Sequence, residues 1–279
     1  MTRFTRLVLV ALASCAFNQS SIAAAPAPVA PATTTADPTL LAWIRAQAGK
    51  GATMISICNG AQVLAYAGLT RGHRATGHWS THQSRVDTFP DTQWVKNTRY
   101  VVDGKIVSSA GISAALPTSL ALVEAIAGTV RAKALDNSLG VAYWGPRHNS
   151  GAFKLKKSDV LRAYTSAIFH AKQDIGVPIA PGVDEIALAL TAEAYSATLR
   201  GQVYAVAQSE AAVKTRGGLM LVPDRVAGKG KRLDWILPEW DATPSGQMLD
   251  KAIADIAAKY RARAARFVAL QAEYPWQGL

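Results

Sequence analysis

Apolar residues recur at helical spacing from Leu40 to Gln47, and Gly49-Lys50-Gly51 then supplies a stop signal. A short β-type run follows, Thr53-Met54-Ile55-Ser56-Ile57. Cys58-Asn59-Gly60-Ala61 opens a second helical pattern, Gln62 to Ala67, closed by Gly68. The order is strand, tight turn, helix, with a cysteine at the turn. Arg74 to His78 predicts another short strand, and Arg99 to Ser108 a hairpin with Asp103-Gly104 as its two-residue turn. Gly111-Ile112-Ser113-Ala114 opens a helix running to Ala127, and Ser158 stands as the N-cap of an amphipathic helix to Lys172. Val177 to Gly182 reads as strand then turn, and Asp184 to Leu199 as helix. Gln202–Ala207, Leu219–Val222 and Asp234–Leu237 read as strands, before one long helix from Gln247 to about Gln271. Short apolar strands alternating with helices predict an α/β chain whose parallel sheet carries helices on both faces.

The N-terminus follows a different pattern. Arg3 and Arg6 precede the apolar run Leu7 to Leu12, and small residues come next. That is the charged, apolar and cleavage order of an export signal, too short to span a bilayer. Two cleavage readings compete. Leu12-Ala13-Ser14-Cys15 has the form of a bacterial lipobox, which leaves Cys15 lipidated and the protein anchored on a membrane. Ala23-Ala24-Ala25 before Pro26 suits ordinary signal peptidase and a soluble periplasmic product. Residues 1–25 are thus assigned to the signal and 26–37 to a linker rich in Ala, Pro and Thr. The expected location is the periplasm, free or as a membrane-anchored lipoprotein. Cys15 and Cys58 are the two cysteines, so with Cys15 lipidated or removed no disulfide forms and Cys58 remains as a lone thiol.

With 279 residues and 49% hydrophobic content, the chain has enough apolar material for a sizeable core and is not a disordered polymer. Thirty Lys+Arg against nineteen Asp+Glu give a net charge of +11. The basic residues are scattered, without interleaved aromatics, helix-turn-helix or zinc-finger spacing, so nucleic acid is not an expected partner. The basic run from Lys259 to Arg266 lies on a helix with one apolar face, suited to docking on the domain or to lying against anionic lipid. His73, His78 and His82 lack the regular pitch and acidic companion of a zinc helix, and neither metal nor cofactor is expected. Trp79, Trp94 and Trp144 suit core packing or a pocket lining, and His148 falls in a loop read as solvated or as rimming the site.

Several of these segments carry a family likeness. Leu40-Leu-Ala-Trp-Ile-Arg, Ile55-Ser-Ile-Cys-Asn-Gly-Ala-Gln-Val-Leu-Ala, Arg74-Ala-Thr-Gly-His-Trp79 and Gly111-Ile-Ser-Ala114 resemble the ThiJ/PfpI superfamily. Its fold is that of class I glutamine amidotransferases, a flavodoxin-like parallel sheet. The likeness is nearest to the isocyanide-hydratase-like branch and to the amidotransferase-like domains of AraC-type regulators. It assigns 38–157 to a core carrying the cysteine turn. Family members begin with strand–helix units ahead of the cysteine, and here those units resemble residues 158–279. The start is therefore permuted or truncated, and the C-terminal strands are expected to join the same sheet.

The resemblance implies that Cys58 is a nucleophile with His78 nearby, and that Asn59 and Gly60 offer amides to an oxyanion. A cysteine on a strand-to-helix turn suits this chemistry, because neighbouring amide dipoles favour the thiolate. The family's acidic partner falls on Ala187, which leaves Asp184 and Glu185, one turn earlier, as the candidate acids. A second acidic position is Pro117, and the Pro-Gly-Gly oxyanion segment is missing. The implied function is an exported cysteine-dependent hydrolase or hydratase-type activity on a small molecule. The alternative is a catalytically degenerate ligand-binding or sensing domain related to the AraC-type regulators. A homodimer is implied by the family alone.

Overall fold

The computed structural model describes residues 7–10, 37–141, 143–154 and 172–276. Both cleavage sites, Cys15 and the linker through 36 lie outside the described residues, and so do residues 158–171 of the helix expected from Ser158. The first sheet begins with β1 (Leu7–Val10), which runs parallel to β2 (Thr53–Ser56), Leu7 opposite Thr53 and Val10 opposite Ser56. Leu7–Val10, within the stretch expected as the apolar core of the signal, thus form an edge strand here.

Between these strands lies α1 (Pro38–Gly49). It starts where the Asp37 carboxylate accepts the amides of Thr39 and Leu40 at 2.7 and 3.1 Å, with a proline in the first turn. Its Leu41 and Ile44 pack with Met54, Val63, Leu64 and Ile106. Beyond β2 come α2 (Gly60–Tyr66), β3 (Arg74–Ala75), α3 (His82–Thr88) and β4 (Gln93–Trp94). The hairpin β5 (Tyr100–Asp103) and β6 (Ile106–Ser109) leads into α4 (Ala115–Ala127) and α5 (Thr129–Leu139). The hairpin turn sits one residue later than expected. Asp103 pairs with Ile106, so Gly104-Lys105 are the central residues, and Gly104 takes φ +58°. A glycine at the first central position with positive φ is what a two-residue loop of the II′ kind requires.

The sheet order is β1–β2–β6–β5, parallel except for the β5–β6 pair. The C-terminal strands do not extend it, and the sheet ends at β1 and β5. They build a second, parallel sheet from β7 (Gln173–Pro178), β8 (Gly201–Ala207), β11 (Arg225–Val226) and β12 (Trp235–Ile236), in the order β11–β8–β7–β12. β9 (Val213–Lys214) and β10 (Met220–Leu221) form a small ribbon beside it, and α6 (Glu185–Ser196) covers it. The chain is therefore α/β, with parallel pairing in both four-stranded sheets.

The long C-terminal helix is two helices, α7 (Met248–Tyr260) and α8 (Ala262–Ala272), broken at Arg261 with φ +74°. The break follows from burial. Leu249, Ala252, Ile253 and Ile256 of α7 and Ala265, Val268, Ala269 and Ala272 of α8 enter one core with Ile175, Val177, Tyr195 and Leu237. A straight helix would carry the second set away from that core. The fold-back aims the end of α8 at the first half of the chain. Gly140 and Gly246 permit a second close contact there: a Cβ on Gly140 would lie 2.8 Å from Pro244, and one on Gly246 2.6 Å from the Leu139 carbonyl oxygen.

Candidate functional site around Cys58

β2 ends at Ser56, and the chain must turn within three residues to start α2 at Gly60. Cys58 takes the bend with φ +56°, a left-handed conformation that costs a non-glycine residue on the order of 1 kcal/mol or more. Pairing on both sides holds it there. The Cys58 amide donates to the Ala110 carbonyl at 2.9 Å, continuing the β2–β6 ladder. The side chain is fully buried, at 0% exposure. Gly60, expected to face an oxyanion, instead donates its amide to the Ile57 carbonyl at 2.9 Å and closes the turn. Asn59 lies at the start of α2, and its Oδ1 accepts from the Thr81 hydroxyl at 2.8 Å.

The cation of the site comes from α3. Arg85 is 1% exposed, and its Nη1 donates to the His78 carbonyl at 2.9 Å and to Thr81 Oγ1 at 2.5 Å. Its guanidinium lies 4.9 Å from the Trp94 ring centroid. Gly77 makes room for it, since a Cβ there would stand 2.9 Å from the guanidinium carbon. Burial lowers the Arg85 pKa to about 10, against the opposing attraction of Cys58 and Glu273, and the group stays cationic at neutral pH. The Arg85 charge acts on the Cys58 sulfur in turn, against the burial that disfavours a charged thiolate. The sequence reading passed over Arg85, because an arginine in a short polar segment looks like any solvated helix residue.

His78 lies beside this group at 5% exposure. Its Nε2 is 3.0 Å from the Gln271 carbonyl and its Nδ1 2.7 Å from Ser80 Oγ. A carbonyl only accepts, so Nε2 carries the proton and Nδ1 accepts from the Ser80 hydroxyl. The ring is the neutral tautomer. Burial lowers its pKa, with the Glu273 charge and the Gln271 carbonyl pulling the other way.

The acid of the cluster is Glu273, just beyond α8. It is 0% exposed. Oε2 accepts from the amides of Gly111 at 2.8 Å and Trp79 at 3.2 Å, and Oε1 lies 2.9 Å from His148 Nε2. Trp79 Nε1 donates to the Leu270 carbonyl at 2.9 Å, and Ser113 Oγ to the Glu273 carbonyl at 2.6 Å. His148 is therefore buried and paired rather than in a solvated loop, and it stacks on Phe153 with ring centroids 5.4 Å apart. Glu273 was missed because its partners lie at the other end of the chain, and nothing local marks it.

Asp184 and Glu185, the acids expected from the sequence, are committed elsewhere. Asp184 caps α6 by accepting the amides of Ile186 and Ala187 at 2.9 and 3.0 Å, and it also bonds Ser245 and Arg216. Burial pushes its carboxyl up, and Ser245, the two amides and Arg216 outweigh that and hold it below its usual range. Glu185 accepts from the Gly217 amide at 3.1 Å. Asp184, Arg216, Trp240 and Ser245 border a cavity of about 450 Å³ at the carboxyl ends of the second sheet. Neither of the two cavities described is lined by Cys58 or His78. Trp144 donates to Glu124 at 3.0 Å and Trp94 to the Phe89 carbonyl at 3.1 Å, so both are held by structure. His73 lies 3.4 Å from Asp103, apart from His78 and its partners.

Comparison with known proteins places the Cys58 half. The profile of the DJ-1/PfpI family matches residues 28–125. Isonitrile hydratase of Pseudomonas putida is 33% identical over 117 residues, 42% of this chain and 49% of that protein. The HTH-type transcriptional regulator CdhR of Pseudomonas aeruginosa is 35% identical over 86 residues, 31% of this chain and 25% of the regulator. This chain thus spans half or less of the length of either relative. The crystal structure of DJ-1beta from Drosophila melanogaster has 26% identity and a TM-score of 0.36, over 40% of this chain and 59% of that one. The segment that carries the cysteine turn, residues 28–125, is thus similar to the DJ-1/PfpI family.

Proposed function

We propose that the protein is exported and that Cys58 acts as a nucleophile in a hydrolase- or hydratase-type reaction on a small, uncharged electrophile. The observation that carries this reading is Cys58 itself, held at φ +56° and fully buried within the electrostatic reach of the Arg85 guanidinium. A structural thiol needs neither feature, and the backbone conformation alone is unfavourable unless the surroundings impose it. In the proposed cycle the thiolate forms a bond to the electrophilic carbon. The carbon takes up a proton in a hydration or expels its leaving group in a hydrolysis, and water then displaces the sulfur from that carbon, releasing the thiolate and a proton. The named activity of the Pseudomonas putida relative makes isonitriles the first substrates to try. His78, neutral with its proton on Nε2, offers a hydrogen bond to charge developing on the substrate once Nε2 is released from the Gln271 carbonyl, and the proton itself comes from water.

Export is supported by the order of Arg3, Arg6 and the Leu7–Leu12 run. Cleavage at either site would remove β1 and leave β2 as an edge strand.

The sensing alternative is favoured by the acids the family pattern expects and this chain lacks, with Ala187 and Pro117 standing in their places. The two readings separate in one experiment. The full chain and its Cys58→Ser variant are incubated with isonitriles, nitriles, amides and esters, and product formation and ligand-induced stabilisation are both measured. Turnover lost in the serine variant supports catalysis. Equal stabilisation of both proteins by a ligand that neither converts supports sensing.

A further inference from the structure

The surroundings of Glu273 are more elaborate than the docking of a helix end demands. Glu273 caps α8 with φ +54°, its amide donating to the Leu270 carbonyl and the Tyr274 amide to that of Ala269. This is the position where helices ordinarily place glycine, because L side chains resist the left-handed conformation. A glutamate there accepts an unfavourable backbone in return for where it puts its carboxylate. That carboxylate meets three donors, the Gly111 and Trp79 amides and the His148 ring, in a fully buried position. Gly111 is shaped to admit it, since a Cβ there would stand 2.3 Å from the Glu273 Cβ.

All three donors belong to the Cys58-bearing half, and the carboxylate is brought in from the other end of the chain. We infer that the Trp79 and Gly111 amides together with His148 form a carboxylate-binding site, filled in cis by Glu273, that a free small carboxylate can occupy when the last turn of α8 withdraws. The ligand class is a monocarboxylate, whose two oxygens divide as those of Glu273 do, one on the amides and one on the imidazole. Occupancy also bears on Cys58, because the Gly111 amide and the Ala110 carbonyl that holds Cys58 belong to one peptide group. The same withdrawal would release the Gln271 carbonyl from His78 and the Leu270 carbonyl from Trp79. The internal occupant thus keeps the site closed.

The inference goes beyond Cys58 chemistry, and its test reads no turnover, so either can fail without the other. The full chain carrying Glu273→Ala is melted in sodium formate, sodium acetate and sodium chloride at matched ionic strength. Formate and acetate should raise the melting temperature by several degrees above the chloride value, and wild type should show no such difference. Glu273→Gly, which suits the left-handed backbone and also empties the site, stands in if the alanine variant does not fold, and formate should again exceed chloride. Equal midpoints in all three salts overturn the inference. Failure of both variants to fold makes Glu273 a fixed strut and overturns it as well.

Discussion

Cys58 and Glu273 grip the two ends of one peptide group. The Cys58 amide donates to the Ala110 carbonyl at 2.9 Å, and the Gly111 amide, the other half of that group, donates to the Glu273 carboxylate at 2.8 Å. A carboxylate on the N–H end polarises the peptide and strengthens the bond at its carbonyl end. The conformation of the cysteine turn is thereby tied to the last turn of α8.

This coupling makes Gly111 sensitive. A methyl group there would lie 2.3 Å from the Glu273 Cβ and 2.8 Å from the Ala272 carbonyl oxygen. Gly111→Ala is expected to destabilise the protein by roughly 1–3 kcal/mol, the usual range for overpacking. Hydrogen exchange should quicken at residues 270–276. Urea unfolding checks the first outcome and mass spectrometry the second. An unchanged midpoint would show that the turn yields freely.

Arg85 tests the electrostatics of the sulfur. Removing its charge while keeping its bulk, as in Arg85→Met, takes away the attraction that favours the thiolate. The pH at which Cys58 reaches half its maximal alkylation rate should rise by about one unit or more. The His78 carbonyl and Thr81 lose a charged donor, so a stability loss on the order of 1–3 kcal/mol should accompany it. Arg85→Lys keeps the charge without the fork and should fall between wild type and Arg85→Met. Identical pH profiles in all three proteins would remove Arg85 from the site.

His78 gives the protein an acid-side liability. Its folded pKa is lowered, chiefly by burial, so the unfolded chain takes up the proton first, near pH 6.5. The stabilisation is complete above that pH and is lost as pH falls through 6.5 toward the folded value. His82, also lowered by burial, acts in the same direction. Urea midpoints between pH 7.5 and 5 should fall, with His78 contributing at most about 1.4 kcal/mol per pH unit. His78→Gln should flatten the decline. Stability that rises on acidification would contradict the neutral assignment.

Export has a direct readout in the mature N-terminus. The mass of protein from a periplasmic fraction should correspond to a chain starting at a lipidated Cys15 or at Pro26. Either product lacks β1, so the backbone amides of β2 that face it should exchange faster than in the full-length chain. A full-length chain confined to the cytoplasm would contradict export.

The readable parts of this molecule are the local ones. The succession α1, β2, Cys58, α2 follows from apolar spacing and from the stop signals at Gly49-Lys50-Gly51 and Gly68, and the structure repeats it. Asp184 was legible as a polar residue at a helix start, and its role there is that of a cap. The hairpin slipped by one residue because Asp-Gly suggests one turn geometry and the Asp103–Ile106 pairing selects another. The break at Arg261 was hidden, since neither glycine nor proline marks it and only the demand for two buried faces produces it. Arg85 and Glu273 were hidden more deeply. Each owes its role to partners that no local pattern connects to it, one within a short polar helix and one across the whole chain. Motif spacing locates a nucleophile, and it says little about which distant charges surround it.

The measurement closest to the central claim is the pH profile of Cys58 alkylation in the folded wild-type protein, with iodoacetamide as probe and mass spectrometry as readout. A thiolate favoured by Arg85 should reach half-maximal rate clearly below about pH 8.5, the value of an ordinary cysteine. A midpoint at or above that value, or a folded protein that takes up no label at any pH, would contradict the account.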